Sequence, residues 1–243
     1  MPSSWTQSLE TYRYPVDLRR YEDACSYPDW FKFDLSTGDR DNTAEFEKHF
    51  KVHASDKIEP WLEVVYWKLY SQPARRDKVT QRIGGHLREN GITPQSLLET
   101  CNGYIKEPTR QRFHAILECL GLGPVIAVAA TFPAFVQPTL FPMVDTRVAK
   151  WVSHCLQEHN AADPCGPQLT RPRYPANGKQ VLTMSDFPFV QSWTRWCRYV
   201  AQKLTARTPF EWRARDVEMA VFNAWGDKRD NHPKLRLTPL PAR

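Results

Sequence analysis

The residues with the strongest pattern for anion binding lie in the segment 117–151, where a helical pattern ends at a tight turn. The turn consists of Gly121, Leu122 and Gly123. Glycines permit positive φ angles and let the backbone approach a phosphate closely. Their N–H groups, with the start of a following helix that has Pro124 at its first position, would form a small anion site. A plain helical hairpin, with glycines for geometry alone, has the same pattern.

Asp145 directly precedes a segment with helical spacing, 146–151. Asp is a favoured helix N-cap that contributes about 1 kcal/mol, so a capping role explains the residue without any chemistry. Arg147 and Lys150 follow within the first turns of that helix. We expect these two cations to contact phosphates.

Two segments of this region resemble motifs of the helix-hairpin-helix DNA glycosylases, the endonuclease III-like superfamily. Residues 120–127, Leu-Gly-Leu-Gly-x-x-x-Ala, resemble that family's LPGxGxxxA hairpin. Residues 141–148, Phe-Pro-Met-Val-Asp-Thr-Arg-Val, resemble its Pro-Val-Asp-Thr-His-Val segment. The detailed similarity covers about 35 residues. It implies a divergent member with an all-α helical bundle of the glycosylase type.

The resemblance implies that Asp145 is the catalytic carboxylate. Glycosylases flip the target base out of the duplex, and the glycosidic bond breaks through an oxocarbenium-like state. A carboxylate near the sugar stabilises that charge and can orient water. The resemblance also implies that Gly121, Leu122 and Gly123 contact the DNA backbone, and it allows a monovalent cation at the hairpin. We expect no other cofactor and no catalytic metal.

The sequence departs from the family pattern at several points. Val125 stands where the bifunctional members carry a Schiff-base lysine, which predicts that this lyase activity is absent. Arg147 replaces the usual His, and no Cys follows Cys197, so the four-Cys iron–sulfur loop is missing. The stretch 70–121 is short for a full glycosylase. The base pocket and the strand-separating wedge are therefore not assigned.

These features predict an intracellular, monomeric protein that binds double-stranded DNA. Its predicted activity is monofunctional hydrolysis of the N-glycosidic bond of a damaged or mismatched base. Two alternatives stay open. One is a non-catalytic helix-hairpin-helix DNA-binding module with the same fold, and the other is a helical protein-interaction module whose aromatic arm and tail recruit a partner.

Other side chains have weaker patterns. Trp193, Trp196 and Tyr199 have the spacing of a base-stacking surface, but the same spacing is typical of a helix core. A pocket could be lined by Glu63, Trp67 and Lys68. Core packing is the alternative interpretation of their spacing.

The sequence pattern predicts that helices position the candidate site residues. It contains no convincing pair of β-strands. An irregular, aromatic-rich N-terminal arm is predicted over 1–43, a helical domain over 44–226 with a long loop at 160–186, and a loose basic tail over 227–243. The predicted helices are Ala44–His53 capped by Thr43, Trp61–Tyr70, Ala74–Asn90, Pro94–Thr100, Thr109–Cys119, Phe187–Thr205 and Pro209–Trp225 with Thr208 and Glu211 as a capping box.

Composition adds weak constraints. The formal net charge is +6, and residues 68–112 carry nine Lys and Arg against four acids. A polyanion partner and a solvated helix face both fit this pattern. No run of about 18 apolar residues suits a membrane span, and the first residues do not resemble a secretory signal. Six cysteines occur without a CxxC pair, which favours reduced, structural thiols.

Overall fold

The computed structural model describes residues 3–14, 40–123, 125–173, 181–227 and 229–241. These residues form helices and loops without a β-strand, so the predicted all-α class is confirmed. In the same residues we find no helix with the length and apolarity needed to cross a membrane. In chain order the helices are α1 (Ser4–Glu10), α2 (Arg40–His53), α3 (Glu59–Lys68), α4 (Pro73–Glu89), α5 (Pro94–Lys106), α6 (Arg110–Cys119), α7 (Ile126–Ala129), α8 (Thr131–Val136), α9 (Thr146–Ala162), a 3-10 turn (Met184–Asp186), α10 (Phe187–Thr205) and α11 (Ala214–Trp225).

The chain divides into two compact units. Arg13–Val136 form one, called the hairpin unit here because it contains the 121–123 turn. Met1–Tyr12 and Gln137–Arg243 form the other, called the terminal unit. The helical domain expected over 44–226 is thus shared between two units.

Aromatic side chains build the core of the hairpin unit. Phe135 of α8 lies 5.2 Å from Phe46, 5.5 Å from Phe50 and 5.3 Å from Trp67, measured between ring centroids. These edge-to-face contacts hold α8 against α2 and α3. Pro133 lies in the first turn of α8 and has no N–H to continue the preceding helix, which explains why α7 ends after four residues. The single helix expected after the turn is therefore two short ones.

The core of the terminal unit is built around Trp196 of α10. Its ring lies 5.8 Å from Trp151 and 5.6 Å from His159 of α9, and it stacks on Trp193 at 5.4 Å. Trp5 of α1 completes the cluster at 6.1 Å. Trp193 and Trp196 are buried, so the core interpretation of this helix face holds rather than the base-stacking one.

Helix boundaries differ from the predictions where distant contacts extend or shorten a helix. The helix α10 has the predicted bounds. The helix α2 begins at Arg40, so Thr43 is a buried residue inside the helix rather than its cap. The helix α5 continues past Thr100 to Lys106, because Cys101 and Tyr104 extend its buried face.

The start of α11 was predicted wrongly. Thr208 does not cap a helix; its hydroxyl donates to Leu204 O at 3.0 Å. The helix begins after Arg213, whose N–H donates to the Asp216 carboxylate at 2.9 Å. The Arg213 guanidinium pairs with the same carboxylate at 2.9 Å. This ion pair fixes the helix start at Ala214, five residues beyond Pro209. Gly226 ends the helix as predicted, with φ of 86°.

The described residues near the two chain ends, 3–14 and 229–241, include buried side chains that the predicted irregular arm and loose tail did not suggest. The expected irregular arm contains α1, and the buried Trp5 anchors it in the terminal unit. The rest of the arm, with Trp30, lies outside the described residues. The expected loose tail is packed over 229–241: Trp5 Nε1 donates to Thr238 O at 2.8 Å, and Leu237 is buried.

The core of the hairpin unit also encloses the carboxyl group of Glu63. Its side chain is fully buried, and no described residue hydrogen-bonds to either oxygen. His49 Nε2 lies 3.9 Å from Oε2. Burial, with a smaller contribution from Glu59, raises the pKa of Glu63 to about 8. Burial also lowers the pKa of His49 to about 4. Both groups are therefore neutral near pH 7, and Glu63 belongs to the core rather than to an open pocket.

This burial predicts a pH-dependent stability. Between pH 6.5 and 8 the free energy of unfolding should fall as pH rises, because the native state retains a Glu63 proton that the unfolded chain, with its ordinary pKa of 4.5, has released. His49 opposes this trend only below its ordinary pKa of 6.5. In Glu63→Gln the decrease in the free energy of unfolding between pH 6.5 and 8 should be smaller by on the order of 1 kcal/mol. Denaturant unfolding of both proteins across this range measures it, and identical pH profiles would contradict the assignment.

Candidate nucleic-acid interface

The predicted hairpin turn is closed by its own backbone. Gly121 follows α6 with φ of 59°, and its N–H donates to Glu118 O at 3.0 Å. The N–H of Leu122 donates to Leu117 O at 2.9 Å. This pattern is the Schellman closure of a helix C-terminus. The amides of Gly121 and Leu122 are thus engaged within the helix end. Gly123 is exposed, and of the two glycines of this turn only Gly121 has a positive φ.

Packing against α4 explains why residue 121 is a glycine. A Cβ placed there would lie 2.6 Å from Cγ of His86. The His86 ring bridges the two helices, since Nε2 donates to Glu118 O at 3.1 Å and Nδ1 accepts from Asn90 Nδ2 at 3.2 Å. The close approach expected for a phosphate at Gly121 is therefore made by a histidine of the same unit.

Asp145 is the N-cap of α9, as the sequence predicted. Its Oδ1 accepts a hydrogen bond from the Val148 N–H at 2.9 Å, and its carbonyl accepts from the Ala149 N–H at 3.0 Å. The side chain is half-buried, and none of the described residues hydrogen-bonds to Oδ2. Capping therefore occupies one oxygen of the carboxylate and leaves the other for a further partner.

Arg147 and Lys150, the predicted phosphate contacts of α9, both have partners within the terminal unit. The Arg147 guanidinium lies 4.3 Å from the centroid of the Phe222 ring. Lys150 Nζ donates to Asp230 O at 3.5 Å and lies 5.8 Å from the Trp225 ring centroid. Cation–π contacts of this kind are worth about 0.5–1 kcal/mol at exposed sites. A phosphate would have to replace these contacts.

Several further partners of α9 belong to the segment 229–241, which we call the C-terminal strap. Besides the Lys150–Asp230 contact, the His154 and His232 ring centroids are 5.8 Å apart. One turn further along, Arg236 forms an ion pair with Glu158. The strap therefore follows the outward face of α9 in the same chain direction. The sequence carried no local signal for this contact, because its partners are about 80 residues apart.

A second long-range contact that the sequence did not indicate joins α10 to the loop after α9. The carboxylate of Asp163 accepts hydrogen bonds from Lys203 Nζ and, at 2.6 Å, from the Tyr199 hydroxyl. These bonds, the Lys203 one above all, hold the pKa of Asp163 below its ordinary value. Tyr199 thus supports a loop instead of stacking on a base.

The predicted site residues are distributed over both units. Gly121, Leu122 and Gly123 lie in the hairpin unit, while Asp145, Arg147 and Lys150 lie in the terminal unit. Within the described ranges no group of three or more His, Cys, Asp or Glu side chains is arranged to hold a metal ion.

The two helix-ending glycines of the hairpin unit form a matched pair for mutation. Gly91 and Gly121 have φ of 60° and 59°, but a Cβ at Gly91 meets nothing within 4 Å. Gly91→Ala should lower the free energy of unfolding by about 1–2 kcal/mol through backbone strain alone. Gly121→Ala should lower it by about 2–4 kcal/mol, because the clash with His86 adds to that strain. Chemical denaturation measures both, and equal losses would argue against the His86 contact.

Charge reversal tests the strap. Glu158→Arg and Arg236→Glu each place like charges together, and the double variant restores attraction. The strap is held in part by the N–H of Leu235, which donates to Ala224 O, and the N–H of Thr238, which donates to Ser4 Oγ. Exposed ion pairs are weak, so each single variant should speed exchange of these two amides by up to about fivefold. The double variant should return to the parent rate. Single variants with parent-like exchange would show that the pair does not hold the strap.

Comparisons of the chain with models of protein families, with curated proteins and with solved structures found no match.

Proposed function

We propose that this chain binds duplex DNA and hydrolyses the N-glycosidic bond of a damaged or mismatched base, with Asp145 as the catalytic carboxylate. The observation that carries this proposal is the setting of Asp145. The residue is half-buried at the start of a 17-residue helix, with Oδ1 held by the cap and no described partner on Oδ2. The resemblance of 120–127 and 141–148 to glycosylase motifs supplies the reaction class.

The cap suits the chemistry because it orients the carboxylate before substrate binds. The hydrogen bond from Val148 fixes Oδ1, and catalysis by a preoriented charge avoids reorganisation during the reaction. When the C1′–N bond breaks, its electron pair leaves with the base and positive charge develops on the sugar. The other carboxylate oxygen can then stabilise that charge or orient the attacking water. The water oxygen bonds to C1′, and its proton passes to the solvent or the departing base.

Hydrolysis without lyase activity follows from Val125. A Schiff-base route needs an amine nucleophile, and the half-buried Val125 side chain offers none at the position that the resemblance assigns to lysine.

Asparagine at position 145 separates chemistry from stability. Asn caps helices about as well as Asp, so Asp145→Asn should retain thermal stability but lose base release by about 100-fold or more. Asp145→Ala should lose activity and also about 1 kcal/mol of stability. The assay incubates the protein with duplexes that carry a panel of lesions and measures abasic sites. Full activity in Asp145→Asn would refute the mechanism, and borohydride should trap no covalent complex.

A non-catalytic DNA-binding module with the same fold is the second candidate, favoured by the engagement of Asp145 as the N-cap of α9. A capping role accounts for this residue without any chemistry. This candidate requires DNA binding with no base release from any lesion in the panel.

A further inference from the structure

An open groove lies on the hairpin unit beside the 121–123 turn. It is formed by the outward face of α4 together with Gly121. Its lining includes Lys78, Arg82, Gly85 and His86. These α4 residues recur every three or four positions, so they share one face of the helix. The groove belongs entirely to one compact unit.

The charge of the groove suits an anion. Lys78 and Arg82 are exposed, and neither forms an ion pair with a carboxylate of the described chain. By contrast, Arg76 of the same helix pairs with Asp77 at 2.7 Å. Glu89 is the acidic residue of the lining, about 10 Å along the helix axis from Arg82. The two cations are thus left for an external partner.

The shape of the groove depends on Gly85. Glycine inside an exposed helix is less stable than alanine, so its presence calls for a reason. Packing supplies that reason for the neighbouring Gly84, where a Cβ would lie 3.3 Å from Leu62. At Gly85 a Cβ would meet no atom nearer than Glu89 Oε1 at 3.9 Å. Core packing therefore does not require this glycine, whereas the approach of a ligand backbone to the helix does benefit from it.

His86 fixes the wall of the groove. Its hydrogen bonds to Glu118 O and to Asn90 hold the turn against α4, and the missing Cβ at Gly121 lets the two approach. The α4 backbone and the turn therefore keep a constant relative position, so that binding need order only the cationic side chains.

We propose that this groove binds the sugar–phosphate backbone of duplex DNA, with Lys78 and Arg82 pairing with phosphates and Gly85 admitting the backbone close to the helix. The inference rests on the proposed DNA-binding function. It assigns the contact to side chains of α4, since the amides of Gly121 and Leu122 are engaged within the turn. The phosphates of a duplex are regularly spaced along each strand, so two cations on one face of a helix can contact them together.

The test is equilibrium binding of the full chain to a fluorescent 20-base-pair duplex between 50 and 200 mM NaCl. Lys78→Gln and Arg82→Gln should each weaken binding several-fold and reduce the salt slope by about one unit, and the double variant by about two. Arg88→Gln is the matched control: the same helix, the same charge change and an exposed side chain outside the groove lining. It should bind like the parent.

A steric pair completes the design. Gly85→Ala fits the open space, and Gly85→Glu adds bulk and negative charge to the groove. Gly85→Glu should bind at least as weakly as the double variant, and Gly85→Ala should bind better than Gly85→Glu. Thermal unfolding of every variant establishes that losses of binding are not losses of folding.

The outcomes separate the groove from the proposed function. If the parent binds DNA and the groove variants bind like Arg88→Gln, the groove proposal is overturned while DNA binding stands. If the parent binds no duplex at 50 mM NaCl, both proposals fail. Tenfold tighter binding of the same sequence as duplex RNA would overturn the assignment to DNA.

Discussion

The turn after α6 is closed by hydrogen bonds from its own amides, and this closure constrains how the hairpin unit can meet a ligand. A helix terminus leaves carbonyls without intrahelical partners, and Gly121 and Leu122 satisfy two of them. His86 then occupies the space where a side chain at position 121 would stand. A partner at this surface therefore meets Gly123 and the side chains of α4 rather than a nest of unpaired N–H groups.

In the terminal unit, too, polar groups of the predicted site are engaged by other groups of the protein. Asp145 caps α9 with one oxygen, and Arg147 and Lys150 lie against aromatic rings and a backbone carbonyl. The strap that supplies part of these contacts is anchored at Leu237 and at Thr238, far from the sequence of α9. Because exposed cation contacts are individually weak, they order this surface without making it inaccessible to a stronger anionic partner.

Local sequence signals predicted the helices well where the signal was itself local. Thr93 and Thr109 cap α5 and α6 through hydrogen bonds to residues three positions on, and Asp145 caps α9 in the same way. The capping box predicted at Thr208 and Glu211 does not form. The Arg213–Asp216 ion pair sets the start of α11 instead. The cap predicted at Thr43 was also wrong. The helix α2 begins one turn earlier, at Arg40, and Thr43 joins Phe46 and Phe50 on its buried face.

From its residues alone, the chain determined the all-α class, the bounds of α10, the cap at Asp145 and the glycine stop at Gly226. Each follows from periodicity or from hydrogen bonds within a few positions, which any helix of that sequence would make. Tertiary structure decided the rest: that Gly121 accommodates a histidine, that Glu63 is sealed in a core, that the strap lies along α9, and that Lys78, Gly85 and Gly121 share one groove. Most of these features depend on contacts between residues that are far apart in the chain, such as the 32 positions that separate His86 from Glu118 and the 80 that separate Lys150 from Asp230. Their packing is set by the whole fold rather than by local pattern.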